Sequence, residues 1–323
     1  MESLFISKDV KISADGGTLL LTAEGRKNRV PIRGLSQIVI AGEAGLTSSL
    51  IALLGKNDVR IVVLDWYGNV TGSFEPAGNP RSGKVRQQQA LLSADPERRA
   101  DLARRFVTGA GRNILANLRY RKYRGVRGLE RPISEISEHL KSAEAACDIN
   151  VLMGHEGMMR SWYYDAWKVI DPRLDFGPRV RRPPNNEINC LISWFNGLVY
   201  TLCRNEAAKT HLDDCLSFLH APSEARSSLA LDIAEIFKPA VCDPLIFEQI
   251  LRGADISSWF ETSEGVCRLS PSGRKATLEL WAARVDDPIG GQSSLRDLVR
   301  AEALAIERHV LGVAEYHPWR RKV

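Results

Sequence analysis

The stretch Ser217 to Pro239, SFLHAPSEARSSLALDIAEIFKP, sets the terms on which the rest of the chain is read. An aromatic-apolar run closes on His220, Pro222 and Ser223 mark a turn, and a helical pattern follows that stops before Pro239. Leu229, Ile233 and Phe237 recur at i, i+4 and i+8 as a buried stripe. Ser228, Asp232 and Glu235 fall on a second, polar stripe, because positions three and four apart share a helix face. An imidazole feeding into a helix with paired acids suits divalent-ion binding or acid–base chemistry. The same pattern also describes a core histidine beside a solvated acidic face, and taken alone it reads that way.

Glu156 adds a third group. Ile149 to Trp167 reads as a helix with an apolar face of Ile149, Leu152, Met153, Met159, Tyr163 and Trp167. At 100° per residue Glu156 falls inside that stripe, where a carboxylate is costly unless it is paired or ligates a metal. Arg160, one turn on, offers an internal ion pair. A buried glutamate, a histidine and a second acid are also a common donor set for a hard cation with open coordination positions.

A chain of 323 residues with 44% hydrophobic and 26% charged residues is that of an ordinary globular protein long enough for two cores. No apolar run reaches membrane-spanning length and MESLFISKDV lacks a signal-peptide core, so a cytoplasmic protein with no membrane partner is expected. Six cysteines, at 147, 190, 203, 215, 242 and 267, form no CxxC pair and read as reduced thiols. The net charge of +5 is unevenly spread: Arg81 to Arg131 holds 14 Lys and Arg against 4 acids, a local +10, which leaves −5 for the remainder. A segment of that kind suits a polyanion, usually nucleic acid, or else a set of helices with solvated arginine faces.

The predicted fold class is α+β: a small N-terminal β-rich domain over residues 1–83, with a linker at about 75–83, then a larger all-α catalytic domain over 84–323. LFISKDVKIS, GGTLLLTAEG, RVPIRGLSQIVIAG and RIVVLDWYG read as short strands between Gly, Asp and Pro. The runs Ile38-Val39-Ile40 and Ile61-Val62-Val63-Leu64 suggest strands buried on both faces, and Thr47 to Leu54 a short capped helix. Beyond the linker, helical periods cover Val85 to Leu92, Pro96 to Tyr123, Ser134 to Leu152, Asn186 to Leu202, Val241 to Leu251, Thr277 to Ala283 and Ser294 to Leu311, with a small hairpin within Gly265 to Arg274.

Five motifs in order carry a family resemblance. VPIRGLSQIVIAGEAGLTSSLIALLGKNDVRIVVLDWYGNVTGSFEP looks like a β-domain, and ARRFVTGAGRNILANLR looks like a first long basic helix. GHEGMMRSWYYDAW resembles a glutamate motif, RRPPNNEINCLISWFNGLVYTL a Pro-Pro and Asn segment, and FLH…SLALDIAEIFKPAVCD a histidine and acid motif. Together they resemble the CRISPR-associated integrase and endonuclease family of spacer acquisition, the first-numbered Cas protein, over nearly the whole chain. Two departures stand out: His155 sits where a small apolar residue is usual, and HLDDCLSFLH lacks the glycines common before the histidine.

The resemblance implies that Glu156, His220 and Glu235 are catalytic metal ligands, with Asp232 a nearby acid. Mixed nitrogen and oxygen ligation suits Mn²⁺ or Mg²⁺ rather than a closed zinc site. The implied reaction joins the 3′-OH ends of captured double-stranded DNA fragments into CRISPR repeat DNA by transesterification, with hydrolysis when water replaces the 3′-OH. The implied assembly is a homodimer joined through the β-domain, working with a smaller ferredoxin-like adaptation subunit. Lys84, Arg86, Arg112, Arg119, Arg160, Arg181 and Arg182 are candidates to track phosphates. Tyr120, Tyr123 and Trp162 are aromatic residues for base stacking or, more ordinarily, for the core. The tail Trp319-Arg320-Arg321-Lys322 is expected to be flexible and available to DNA or a partner. Two other readings remain: a transposon-type integrase relative, and a non-catalytic DNA-binding scaffold whose acids pair with Arg160 and Arg226.

Overall fold

The computed structural model describes residues 2–77, 82–221, 227–286, 288 and 293–321. Residues 78–81 of the expected linker, the turn at Pro222 and Ser223, Arg226 and Lys322 lie outside the described residues. By compactness the chain forms two units. One comprises residues 1–79, 180–201 and 255–286, the other 80–179, 202–254 and 287–323.

The first unit holds the strands. Parallel β1 (Glu2–Ile6), β5 (Leu35–Ile40) and β7 (Arg60–Leu64) make one sheet with antiparallel β8 (Val70–Phe74), in the order β1-β5-β7-β8. β2 (Val10–Asp15), β3 (Thr18–Ala23), β4 (Arg26–Pro31) and β6 (Ala44–Leu46) make a second, ordered β4-β3-β2-β6. The apolar runs identified above are β5, buried at all six positions, and β7, buried at four of five, as parallel strands covered on both faces require. α1 (Ser48–Lys56) is capped by Thr47, whose hydroxyl accepts from Leu50 N, and its Leu50 and Leu54 join Ile6, Ile12, Leu19, Ile38 and Ile61 in one core.

Helices carry the second unit. α2 (Gly83–Ala94) leads into α3 (Pro96–Tyr123), which Asp95 caps through Glu97 N and Arg98 N, with Pro96 at the first helical position. α3 packs against α4 (Glu130–Ala145), α5 (Ile149–Asp165) and α8 (Ser228–Phe237). After α5 comes the single-turn α6 (Trp167–Ile170), and after α8 a π-helical turn, Lys238–Cys242, joins α9 (Asp243–Leu251). α11 (Leu295–Val310) packs on α2 and α8.

The boundary at 83/84 marks the change from strand to helix along the sequence, but the compact units follow a different division. α7 (Glu187–Ala207) contains the switch between residues 201 and 202, and α10 (Pro271–Asp286) belongs with the strands of the first unit. The expected all-α second part therefore gives up 180–201 and 255–286 to the first unit, because compactness is decided by packing in space and not by position in the chain. The hairpin is β9 (Phe260–Ser263) and β10 (Val266–Leu269), and its two-residue turn places Glu264 and Gly265 at φ 51° and 75°. Residues 271–274, expected within the hairpin, instead open α10.

α3 approaches its neighbours closely at two glycines. A Cβ on Gly109 would lie 2.6 Å from the ring of Pro318, whereas one on Gly111 would meet the flexible thioether of Met159 at 2.8 Å. Gly109→Ala is expected to destabilise the fold by about 1–3 kcal/mol, since a proline ring cannot yield. Gly111→Ala should cost less, because Met159 can change rotamer. Urea unfolding of the two variants checks the order.

Candidate metal centre

Asp232 is fully buried on α8 and organises the turn that carries His220. Its Oδ2 accepts hydrogen bonds from Phe218 N (2.7 Å) and Leu219 N (3.0 Å), and its Oδ1 accepts from His220 N (3.0 Å). His220 Nδ1 lies 2.7 Å from the same Oδ1. In the neutral ring Nδ1 then carries the proton given to Asp232, which leaves Nε2 as the lone-pair donor, the arrangement by which a carboxylate orients a metal-binding histidine. Burial lowers the His220 pKa, but the hydrogen bond and charge of Asp232, with the charge of Glu235, outweigh it and leave the pKa raised. Arg99 of α3 fixes the turn from the other side, donating to Phe218 O at 2.8 Å and His220 O at 3.3 Å.

Glu156 on α5 and Glu235 on α8 meet at one guanidinium. Arg160 Nε and Nη2 contact Glu156 Oε1 at 3.3 and 3.2 Å, and Nη2 also donates to Glu235 Oε2. Lys238 Nζ takes the other oxygen of Glu235. Burial alone would raise the Glu235 pKa, yet Lys238, Arg160 and His220 together bring it down to about 2. The expected ion pair between Glu156 and Arg160 is thus present and extends to a second acid. The Glu156, His220 and Glu235 side chains are 24%, 28% and 11% exposed, so the cluster borders solvent.

Several expectations change in detail. Nine of the ten residues of α8 are buried, all but Leu231, so Ser228, Asp232 and Glu235 do not form a solvated face. On α5 the buried stripe is Leu152, Met159 and Tyr163, with Glu156 in register between them, while Met153 is 43% exposed. Arg160 is 11% exposed and pairs with Glu156 and Glu235. Among the other basic candidates, Lys84, Arg119, Arg181 and Arg182 are exposed, Arg112 pairs with Glu144, and Arg86 stands 3.8 Å from Asp213. Arg181 and Arg182 belong to the first unit and the others to the second. Tyr123 is 86% exposed and not core; Trp162 is half-buried beneath Arg131 at 5.2 Å.

The tail departs most from expectation. Tyr316 is buried, its hydroxyl donating to Glu302, and Trp319 N also bonds Glu302. The Trp319 ring stacks on Phe237 of α8 with centroids 5.2 Å apart and planes 18° from parallel. Asn113 of α3 ties both segments, donating to Ile236 O at 2.9 Å and accepting from Arg321 N at 2.9 Å. An aromatic residue beside arginines reads as a loose basic tail in sequence, and only the position of Phe237 in space shows what it covers. Lys238 had a local signal, three residues after Glu235 on one helix face. Asp243 had none: it is 1% exposed near Arg160, and burial pushes its pKa up to about 7.

The donor set suits a hard divalent ion: two carboxylates, one of them held ionised, and an imidazole with Nε2 directed away from Asp232. Glu156, His220 and Glu235 do not bring three ligand atoms to coordination spacing while Arg160 stands between the acids. Among the described residues only Asp213, Asp214 and Cys215 do so. Arg86 and Arg204 lie 3.8 and 3.9 Å from those two acids, and Cys215 is a neutral thiol whose pKa is raised first by burial and then by Asp214. Among the described residues, no helix is long and apolar enough to cross a membrane.

The family model described as CRISPR associated protein Cas1 matches residues 4–283. A CRISPR-associated endonuclease Cas1 of Thermodesulfovibrio yellowstonii is 33% identical over 325 residues, spanning 98% of each chain. The solved structure of a CAS1 protein from Thermotoga maritima superposes with a TM-score of 0.88 at 28% identity, covering 99% of this chain and 100% of that one. A casposase bound to its integration product shares the fold, with a TM-score of 0.82 at 22% identity, covering 98% of this chain and 93% of that one.

The folded pKa of Glu235 lies below its ordinary value of 4.5, at about 2. Its ion pairs therefore add stability above pH 4.5 that is lost as the pH falls toward 2. The melting temperature of Glu235→Gln is expected to lie below that of the wild type at neutral pH. The gap should close as acid protonates Glu235, and thermal melts between pH 7 and pH 2 measure it.

Proposed function

The chain belongs to the CRISPR-associated Cas1 family, and from that premise we propose that it is a metal-dependent DNA endonuclease and integrase that joins captured DNA fragments into a CRISPR repeat array. The observation that carries the proposal is the meeting of residues 156, 220 and 235, from two separate motifs, around one charged centre. Glu156, Glu235 and His220 Nε2 are the groups that would hold Mn²⁺ or Mg²⁺. When bound, such an ion supplies charge stabilisation to a phosphate undergoing substitution.

In the proposed reaction the 3′ oxygen of the captured fragment attacks a phosphorus of the repeat strand. One phosphodiester bond forms as another breaks, and the displaced 3′ oxygen takes up the proton lost by the attacker. Attack by water instead gives hydrolysis. No protein nucleophile is required, so the chain's work is positioning and electrostatics. Asp232 holds the imidazole in one tautomer, Lys238 and Arg160 keep Glu235 anionic, and Arg99 fixes the turn that ends in His220. Exposed Lys84 and Arg119, with Arg181 and Arg182, are proposed to contact phosphates, where each contact adds salt-dependent affinity. A homodimer joined through the strand-rich unit and a ferredoxin-like partner subunit complete the proposal, both carried by the family resemblance.

The ion pairs of Arg160 with Glu156 and Glu235 also favour a second reading, a non-catalytic DNA-binding scaffold. Strand joining of a labelled duplex into a supercoiled repeat plasmid separates the two. The wild type is expected to join ends only with Mn²⁺ or Mg²⁺. Glu156→Ala, His220→Ala and Glu235→Ala should each lower joining at least about 100-fold, because each removes a ligand. DNA binding that is indifferent to the ion, with neither cutting nor joining, would favour the scaffold.

A further inference from the structure

Asp243 opens α9 and is 1% exposed. Its carboxyl is hydrogen-bonded to the hydroxyl of Tyr163, whose oxygen in turn accepts from Asn117 Nδ2 at 2.6 Å. Its Oδ2 is buried without a hydrogen-bond partner. A buried carboxyl oxygen without a partner is costly and calls for an explanation. The cations acting on Asp243 are Arg160, then Lys238, then Arg179, and Lys238 is already spent on Glu235. Arg160 is the strongest of the three, yet it makes no ion pair with Asp243 in this structure: it spans Glu156 and Glu235.

That bridge conflicts with the proposed metal site, on which this inference rests. Arg160 and Lys238 take both oxygens of Glu235, so a divalent cation joins the two glutamates only as the guanidinium gives way, and Arg160, 11% exposed, cannot simply retreat into water. We propose that Asp243 is the second station of Arg160: the guanidinium exchanges Glu156 and Glu235 for the vacant Oδ2 of Asp243 as those two acids take up a divalent cation. Each cation then keeps an anionic partner, the incoming ion facing the two glutamates and the arginine facing the aspartate. Asp243 acts through Arg160 and is a positioning residue, touching neither substrate nor metal.

Calorimetric titration with Mn²⁺ alone, without DNA, tests the exchange. The proteins are the wild type, Asp243→Asn, Arg160→Gln, their double variant and His220→Ala. Asp243→Asn keeps the shape and the Tyr163 contact but cannot receive a guanidinium as an ion pair, so it should bind Mn²⁺ at least tenfold more weakly than the wild type. Arg160→Gln removes the competitor and should bind at least as tightly as the wild type. On the Arg160→Gln background, Asp243→Asn should then have no further effect. Equal affinity of Asp243→Asn and the wild type would overturn the exchange, and so would the same loss with and without Arg160, which would make Asp243 a purely structural group. Wild type and His220→Ala binding Mn²⁺ equally would instead sink the metal site itself, and the exchange with it.

Discussion

Two carboxylates brought together at the edge of a hydrophobic core repel each other and lose hydration, and a cation between them is what allows the arrangement. Here that cation is the guanidinium of Arg160, joining Glu156 to Glu235 across 75 residues of sequence difference between Arg160 and its second partner. The contact fixes α5 against α8 at the proposed metal site. Lys238 adds a second positive charge to Glu235, and together they leave a carboxylate that stays ionised through the physiological range. A site of this kind is held ready by charge and open to a better cation, because neither arginine nor lysine has the ligand-binding power of a divalent ion.

α3 is the frame on which the site is mounted. Arg99 bonds the carbonyls of the turn that ends in His220, Asn113 bonds the carbonyl of Ile236, and Asn117 bonds Pro239 O and the hydroxyl of Tyr163. Each is a side-chain donor, and the backbone carbonyls they reach lie in the turn before α8, near its end and in the π-helical turn. The residues from Tyr316 to Arg321 close the other side, with Trp319 stacked on Phe237 two positions beyond Glu235. The glycines of α3 permit this close packing.

Much of this was legible in the sequence. The continuous apolar runs of β5 and β7 announced strands covered on both faces, and Pro96 with Asp95 set the start of α3. Glu156 stood out because its helical phase put a charge on a buried stripe, and Arg160, one turn on, named its first partner. Other features were illegible for a physical reason. Whether the acids of α8 faced water or core depended on what covered the helix, and the covering comes from α3 and the tail. The division of the chain into units was equally hidden, since residues 180–201 and 255–286 pack within a unit that begins far upstream. Asp243 carries no pattern of its own, and its meaning comes from the unfilled oxygen beside Arg160.

Glu156, His220 and Glu235 are proposed to form a divalent-metal site in which Arg160 stands in for the ion. Crystals grown with Mn²⁺, with diffraction data collected at the manganese absorption edge, address it directly. An anomalous peak bounded by Glu156, Glu235 and His220 Nε2 is expected, with the Arg160 guanidinium displaced from the two glutamates. A peak only at Asp213, Asp214 and Cys215, or Arg160 still bridging the glutamates in manganese-saturated protein, would contradict it.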